Sequence, residues 1–182
     1  MRDLRNIGWV LLALATCAPA QILNAARGPS VSALPTPIEA IHRGEPGEVE
    51  LRFRVTPGYH VNSNTPKSEF LIPTTLKLDA PTDIVIGKIT YPAGRDMAFP
   101  FSPDEKLSVY TGDFALAVVV RPLHTVLPAK YMIRGRLRYQ ACDNAQCYPP
   151  KQLPVQFEVK VEKGKATGTA KRNPAQSPHA HR

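Results

Sequence analysis

The sequence predicts an all-β domain, an immunoglobulin-like β-sandwich, and three observations carry that reading. Apolar and polar residues alternate over short runs, turn residues separate the runs, and no stretch holds a helical period. The 19 prolines scattered through 182 residues act in the same direction, because proline breaks helix interiors. This length makes one domain the default, with a core large enough to stand alone.

The domain is expected over residues 37–162. Glu48–Val55, "EVELRFRV", alternates strictly: Val49, Leu51, Phe53 and Val55 face one way, and Glu48, Glu50, Arg52 and Arg54 the other. That is the period of a half-buried strand. Pro57 and Gly58 turn the chain and "YHV" restarts it. Phe70–Leu78 is a second apolar run, with Pro73 marking an edge or bulge, and Asp83–Tyr91 is a third. Pro92–Lys106, "PAGRDMAFPFSPDEK", is expected to be a long loop, and long loops in compact domains are often functional. A short strand to Tyr110, a turn at Thr111 and Gly112, and a longer strand over 113–121 follow. Lys130–Cys142 alternates through Tyr131, Ile133, Gly135, Leu137 and Tyr139. Leu153–Glu162 alternates through Val155, Phe157, Val159 and Val161. The total is seven to nine short strands without an internal repeat.

The ends read differently. "MRDLRN" followed by "IGWVLLALA" and "APA" before Gln21 has the layout of a secretory signal over residues 1–20. Its apolar run is shorter than the roughly 20 residues a bilayer span needs. "LATC" partly resembles a lipoprotein box, but threonine fits poorly before the cysteine. Cleavage after Ala20 is therefore expected over anchoring at Cys17. Residues 21–36 read as a linker. Residues 163–182 hold five basic residues and no acidic one. With no aromatic residue and no helical period, this segment reads as a solvated tail and not as a nucleic-acid site, despite a net charge of +8.

Loss of the leader leaves two cysteines in the exported chain, in "YQACDNAQCYPP" at Tyr139–Pro150. Outside the cytoplasm a disulfide can form and persist. "DNAQ" between them suits a tight reversal, since Asp143 and Asn144 tolerate turn conformations and bond their own backbone. A reversal sets Cys142 opposite Cys147, where Cα atoms lie about 4.5–5.5 Å apart, inside the window of about 4.4–6.8 Å for a disulfide. Closing about six residues would contribute only about 2 kcal/mol, so a staple is a modest use of two cysteines. A metal needs three or four ligands, and His42, His60 and His124 form no ligand pattern with the pair. Spacing alone leaves a structural bond and a redox-active bond both open. Tyr148, Pro149 and Pro150 add weight to the second: the prolines stiffen the segment and keep it out of a regular ladder, leaving a sulfur approachable for thiol–disulfide exchange.

These residues resemble a known family. "YQACDNAQCYPP", "PGYHVNSNTP", "YPAG" and "VYTGDFAL", in that family's order along the chain, look like the N-terminal periplasmic domain of the thiol:disulfide interchange protein DsbD. The resemblance spans roughly residues 37–162. It implies an immunoglobulin-like fold with both cysteines at one end and a pair that cycles between dithiol and disulfide. It implies that Cys147 engages the partner and Cys142 resolves. Electrons would come from a membrane electron transporter through a thioredoxin-like protein. They would pass on to periplasmic disulfide isomerases or cytochrome c maturation proteins.

The family's cap loop matches the 92–106 segment, so Phe99 or Phe101 would shield the sulfurs; ordinary core packing is the competing account of both. Tyr59, His60 and Asn62 would lie beneath the site and polarise a thiol, with Tyr148 beside it. His60 and Asn62 stand where some relatives carry tyrosine, and for His60 a half-buried strand position is the plainer account. Full-length relatives continue into a membrane domain and a thioredoxin-like domain, so here those functions are expected on separate proteins. The resulting expectation is a monomeric periplasmic exchange module without cofactor, metal or nucleic acid. The alternative is a binding or assembly module whose disulfide only stiffens a loop.

Overall fold

The structure, a computed structural model, describes residues 30–164. The expected signal peptide, Cys17, residues 21–29 of the expected linker and nearly all of the basic tail lie outside the described residues. The first six strands are β1 (Val31–Ala33), β2 (Glu39–His42), β3 (Gly47–Val55), β4 (His60–Asn62), β5 (Thr75–Asp79) and β6 (Ile84–Thr90). The next six are β7 (Arg95–Phe99), β8 (Ser102–Tyr110), β9 (Asp113–Pro122), β10 (Lys130–Tyr139), β11 (Ala141–Cys142) and β12 (Lys151–Glu162). No helix occurs among the described residues.

Two four-stranded sheets form an immunoglobulin-like sandwich. One has the order β1-β3-β9-β6, all antiparallel. The other has the order β2-β12-β10-β5, with β2 parallel to β12 and the rest antiparallel. The alternation read from the sequence settles which residues meet between them. Val49, Leu51, Phe53 and Val55 of β3, with Leu116, Val118 and Val120 of β9, pack in one cluster with Ile133 and Leu137 of β10 and Val155, Phe157, Val159 and Val161 of β12. Phe53 stacks on Phe114 at 5.4 Å. Each such side chain contributes about 1.5–3 kcal/mol through burial, which is what holds the two sheets together.

Val31–Ala33, within the stretch expected to be a linker, is a strand: it pairs with β3 from Val31 opposite Val55 to Ala33 opposite Phe53. The run at residues 70–78 is a strand only from Thr75 onward. The larger departure is at 92–106, where a hairpin stands in place of the expected loop. β7 pairs with β8 from Arg95 opposite Val109 to Phe99 opposite Ser102, with a register shift between Met97 and Phe99. One side of this hairpin packs Met97, Phe99, Phe101 and Leu107 into a small apolar cluster, whereas Ala98 and residues 103–106 are exposed, so its turn and the first half of β8 lack the alternation that marks the sandwich strands.

A third sheet, β11-β4-β8-β7, sits at one end of the sandwich, and chain connectivity puts it there. β4 follows β3 through the Pro57–Gly58 turn, where Gly58 takes φ 83°. β8 runs into β9 through Gly112, and β11 follows β10. The end of β3 meets the start of β9, Arg54 opposite Asp113. The Val31 amide donates to the Tyr139 hydroxyl at the end of β10 (3.2 Å), so all three connections leave from the same end.

Candidate functional site

Cys142 and Cys147 are joined by a disulfide across an isolated antiparallel bridge, with Cα atoms 4.0 Å apart. The opposition expected from the spacing is therefore present, and tighter than expected. The turn is built by Asp143. Its amide donates to the Gln146 carbonyl (2.9 Å), and its Oδ1 accepts from the amides of Ala145 (2.7 Å) and Gln146 (2.8 Å). Its Oδ2 accepts from the Tyr148 hydroxyl at 2.6 Å. The Tyr148 bond first, and the two amides after it, hold the Asp143 carboxyl below the usual carboxylate range. The same carboxylate raises the Tyr148 phenol. The Tyr148 amide donates to the Ala141 carbonyl at 2.9 Å, whereas Pro149 and Pro150 are exposed and offer no amide.

The two sulfur-bearing residues differ in exposure. Cys142 is 0% exposed, whereas Cys147 is partly exposed. Cys142 lies opposite His60 in the β4–β11 pair. His60 is itself buried, and its ring stacks on Phe99 at 3.9 Å. Phe101 stacks on Phe99 at 5.5 Å and lies 6.4 Å from His60. Of the two candidate cap residues, Phe99 is thus the one against His60, and Phe101 covers it. Both belong to a small apolar cluster with Leu71, Met97, Leu107 and Val109, separate from the sandwich core. Tyr59 meets Tyr148 edge-on at 6.0 Å. A groove of about 350 Å³ runs between Tyr59, His60, Met97, Phe99 and Asn144.

The polar groups beneath the site are incompletely paired. Burial pushes the His60 imidazole down to about 4, opposed by the nearby Asp143 carboxylate, so the ring is neutral at pH 7. His60 Nε2 and Asn62 Oδ1 are buried without a hydrogen-bond partner; each such group costs about 1–3 kcal/mol. Asn62 Nδ2 donates to the Ile72 carbonyl and to Gln140 Oε1, both at 3.1 Å.

Gln140 was not singled out from the sequence, yet it joins three segments. Its Oε1 accepts from the Ile72 amide (3.2 Å) as well as from Asn62, and its Nε2 donates to the Tyr148 carbonyl (3.2 Å). Gln140 falls on the polar phase of the alternation, in line with Arg134, Arg136 and Arg138, so no local signal sets it apart. Gly94 is a second omission. A Cβ there would lie 2.1 Å from Ser108 Oγ and 2.8 Å from Ser63 Cβ, so only glycine lets the hairpin base approach β8. Among the described residues no group of three His, Cys, Asp or Glu side chains gathers as metal ligands would.

An all-β sandwich whose end carries a short-loop disulfide between a buried and a partly exposed cysteine defines a disulfide-bearing β-sandwich module. Residues 32–159 match the family described as thiol:disulfide interchange protein DsbD, N-terminal. The chain belongs to that family. No curated protein sequence matches it. Among solved structures, it is similar to the Neisseria meningitidis DsbD N-terminal domain in the reduced form, with 23% identity over 62% of this chain and 75% of that one, at a TM-score of 0.39. It is also similar to the complex between the DsbD and PilB N-terminal domains of the same organism, with 22% identity over 61% of this chain and 73% of that one, at a TM-score of 0.36.

Proposed function

We propose that this protein is a periplasmic thiol–disulfide exchange module that relays electrons through Cys142 and Cys147. A thioredoxin-like donor fed by a membrane transporter supplies them, and periplasmic disulfide-handling or cytochrome c maturation proteins receive them. Membership of the DsbD N-terminal family supports this. The observation that carries it is the unequal exposure of the two cysteines, Cys142 at 0% and Cys147 partly exposed, because exchange needs access to one sulfur only.

In the reducing half-reaction a donor thiolate attacks Cys147 Sγ. The Cys142–Cys147 bond breaks, and its electron pair leaves on Cys142 Sγ, which takes a proton. The donor's second thiolate then attacks the donor sulfur of the mixed disulfide and releases Cys147 as a thiolate. The domain gains two electrons and the donor becomes a disulfide. Delivery is the reverse: Cys147 attacks the acceptor disulfide, and Cys142 resolves the intermediate. Phe99, seated on His60 and backed by Phe101, serves as the cover that keeps unselected oxidants from the reduced pair.

The test is trapping. Cys142→Ser leaves Cys147 without its resolving thiol and should accumulate a mixed disulfide with a thioredoxin-like protein in periplasmic extract, whereas Cys147→Ser should not. Equilibration with a glutathione couple should give a potential above about −300 mV, the region of exchangeable rather than structural bonds. No trapped species and a lower potential would leave a binding module with a stiffened loop.

A further inference from the structure

Phe70 was expected within a strand, and it is instead 85% exposed. It belongs to the segment between β4 and β5, and that segment is fastened at two places, to the cysteine turn and to the β7–β8 hairpin. On one side, Gln140 binds the Ile72 amide with its Oε1 and the Tyr148 carbonyl with its Nε2. One side chain therefore spans from two residues beyond Phe70 to the residue after Cys147. On the other side, Lys67 Nζ pairs with Asp96 Oδ2 of β7 at 2.6 Å, and Leu71 packs into the cluster of Phe99, Phe101 and Met97. A local turn, the Leu71 amide to the Ser68 carbonyl at 3.3 Å, sets neighbouring side chains in opposite senses: Leu71 inward under the hairpin tip, Phe70 out into solvent.

A single exposed apolar residue is ordinary on a protein surface. Leu127 is another, 71% exposed, between β9 and the start of β10. It lies a full ten-residue strand away from Cys142. Phe70 differs in placement: its neighbour Leu71 packs against the hairpin residues Phe99 and Phe101, and Ile72 is tied through Gln140 to Tyr148, the residue after the partly exposed Cys147. Aromatic residues presented this way are the usual energetic centres of protein interfaces.

We propose that Phe70 is the docking anchor for the protein that exchanges with Cys147. The occupant is a thioredoxin-fold partner with an apolar surface beside its reactive cysteine. This rests on the exchange function proposed above and adds where selectivity for a protein over a small thiol resides. A small dithiol needs only the sulfur; a protein that reaches the same sulfur must lay its surface on the surrounding rim, where Phe70 stands.

The experiment compares two reductants on the oxidised protein, reduced thioredoxin and dithiothreitol, with second-order rates read by acid quench and alkylation of the freed thiols. Phe70→Ala should slow reduction by thioredoxin by about tenfold or more and leave the dithiothreitol rate unchanged. Phe70→Leu should retain most of the thioredoxin rate, and Leu127→Ala all of it. An unchanged thioredoxin rate in Phe70→Ala overturns the proposal. So does an equal loss with both reductants, which would mark a disturbed site rather than a lost contact. If dithiothreitol reduces the parent protein and thioredoxin does not, the anchor is refuted for this class of partner while the exchangeable bond survives. If neither reduces it, the exchange function itself falls.

Discussion

The sandwich and its disulfide-bearing end are built on opposite principles. Between the two large sheets, valine, leucine, isoleucine and phenylalanine interdigitate, with Val49, Phe53, Leu116, Val118, Ile133 and Val159 each 0% exposed. At the end formed by β4, β11 and the β7–β8 hairpin, the buried set includes His60, Asn62, Ser63 and Ser108, and two of its polar atoms have no partner. The first region spends its residues on stability. The second gives stability up to keep polar atoms, sulfur and stacked rings together, as functional sites commonly do. Changes in the core should therefore alter stability and spare thiol chemistry, and changes at the end should do more of the reverse.

The largest effect tests the core. Phe53 is fully buried and stacked on Phe114. Phe53→Ala should lower unfolding free energy by about 3–5 kcal/mol, measured by urea titration of the oxidised protein. The reduction potential of whatever remains folded should not move. A shifted potential would show that the two regions are not separable.

The next effect belongs to the disulfide-bearing end. The His60 imidazole is lowered from 6.5 to about 4, chiefly by burial, so the unfolded chain binds a proton more readily than the folded one. Stability from this group is fully present above pH 6.5. It is lost as pH falls through the window from 6.5 to about 4. That displacement corresponds to roughly 3 kcal/mol. Carboxylates such as Asp143 also lose stability on acidification, because their folded values are lowered, so the informative quantity is a difference. Unfolding of the parent and of His60→Leu, compared from pH 7 to pH 4, should show the parent alone losing this increment.

What could be read in advance follows the same division. Most strands of the sandwich were legible because one face meets a core and the other meets water: β3, β10 and β12 carried that alternation, whereas β9 is a continuous apolar run from Phe114 to Val120, marked as a strand by the turn before it. The Cys142–Cys147 opposition was legible because "DNAQ" permits one kind of reversal. The β7–β8 hairpin was not, since Pro100 in its turn and the exposed Pro103, Asp104 and Glu105 at the start of β8 interrupt the pattern. Residues 70–74 misled in the other direction. They are apolar enough to suggest a strand, but side chains of Asn62 and Gln140 take the Ile72 backbone groups that a ladder would have used. Such long-range side-chain bonds have no local signature. For the same reason Gln140 stayed hidden although the cysteine two residues later did not.

Smaller effects sharpen the comparison. Reducing the disulfide reopens a loop of about six residues and should cost about 2 kcal/mol, read as the difference between urea curves of oxidised and phosphine-reduced protein. A much larger loss would make the bond a staple after all. The smallest effect pairs two exposed carboxylates. Asp113, on the sandwich, accepts a two-pronged bond from Arg54 at 2.6 and 2.7 Å, and this bond is the first cause of its lowered pKa. Asp143 is lowered by its bonds within the cysteine turn. Water screens both, so neither carries much stability. Asp113→Asn should leave thermal unfolding and the rate of reduction by dithiothreitol nearly unchanged. Asp143→Ala should also unfold almost normally, yet it removes the acceptor of the Ala145 and Gln146 amides and of the Tyr148 hydroxyl. The reduction rate should therefore change in that variant alone. Equal rates in the two variants would mean that Asp143 does not fix the approach to Cys147, and that the disulfide-bearing end is less specialised than its unpaired atoms indicate.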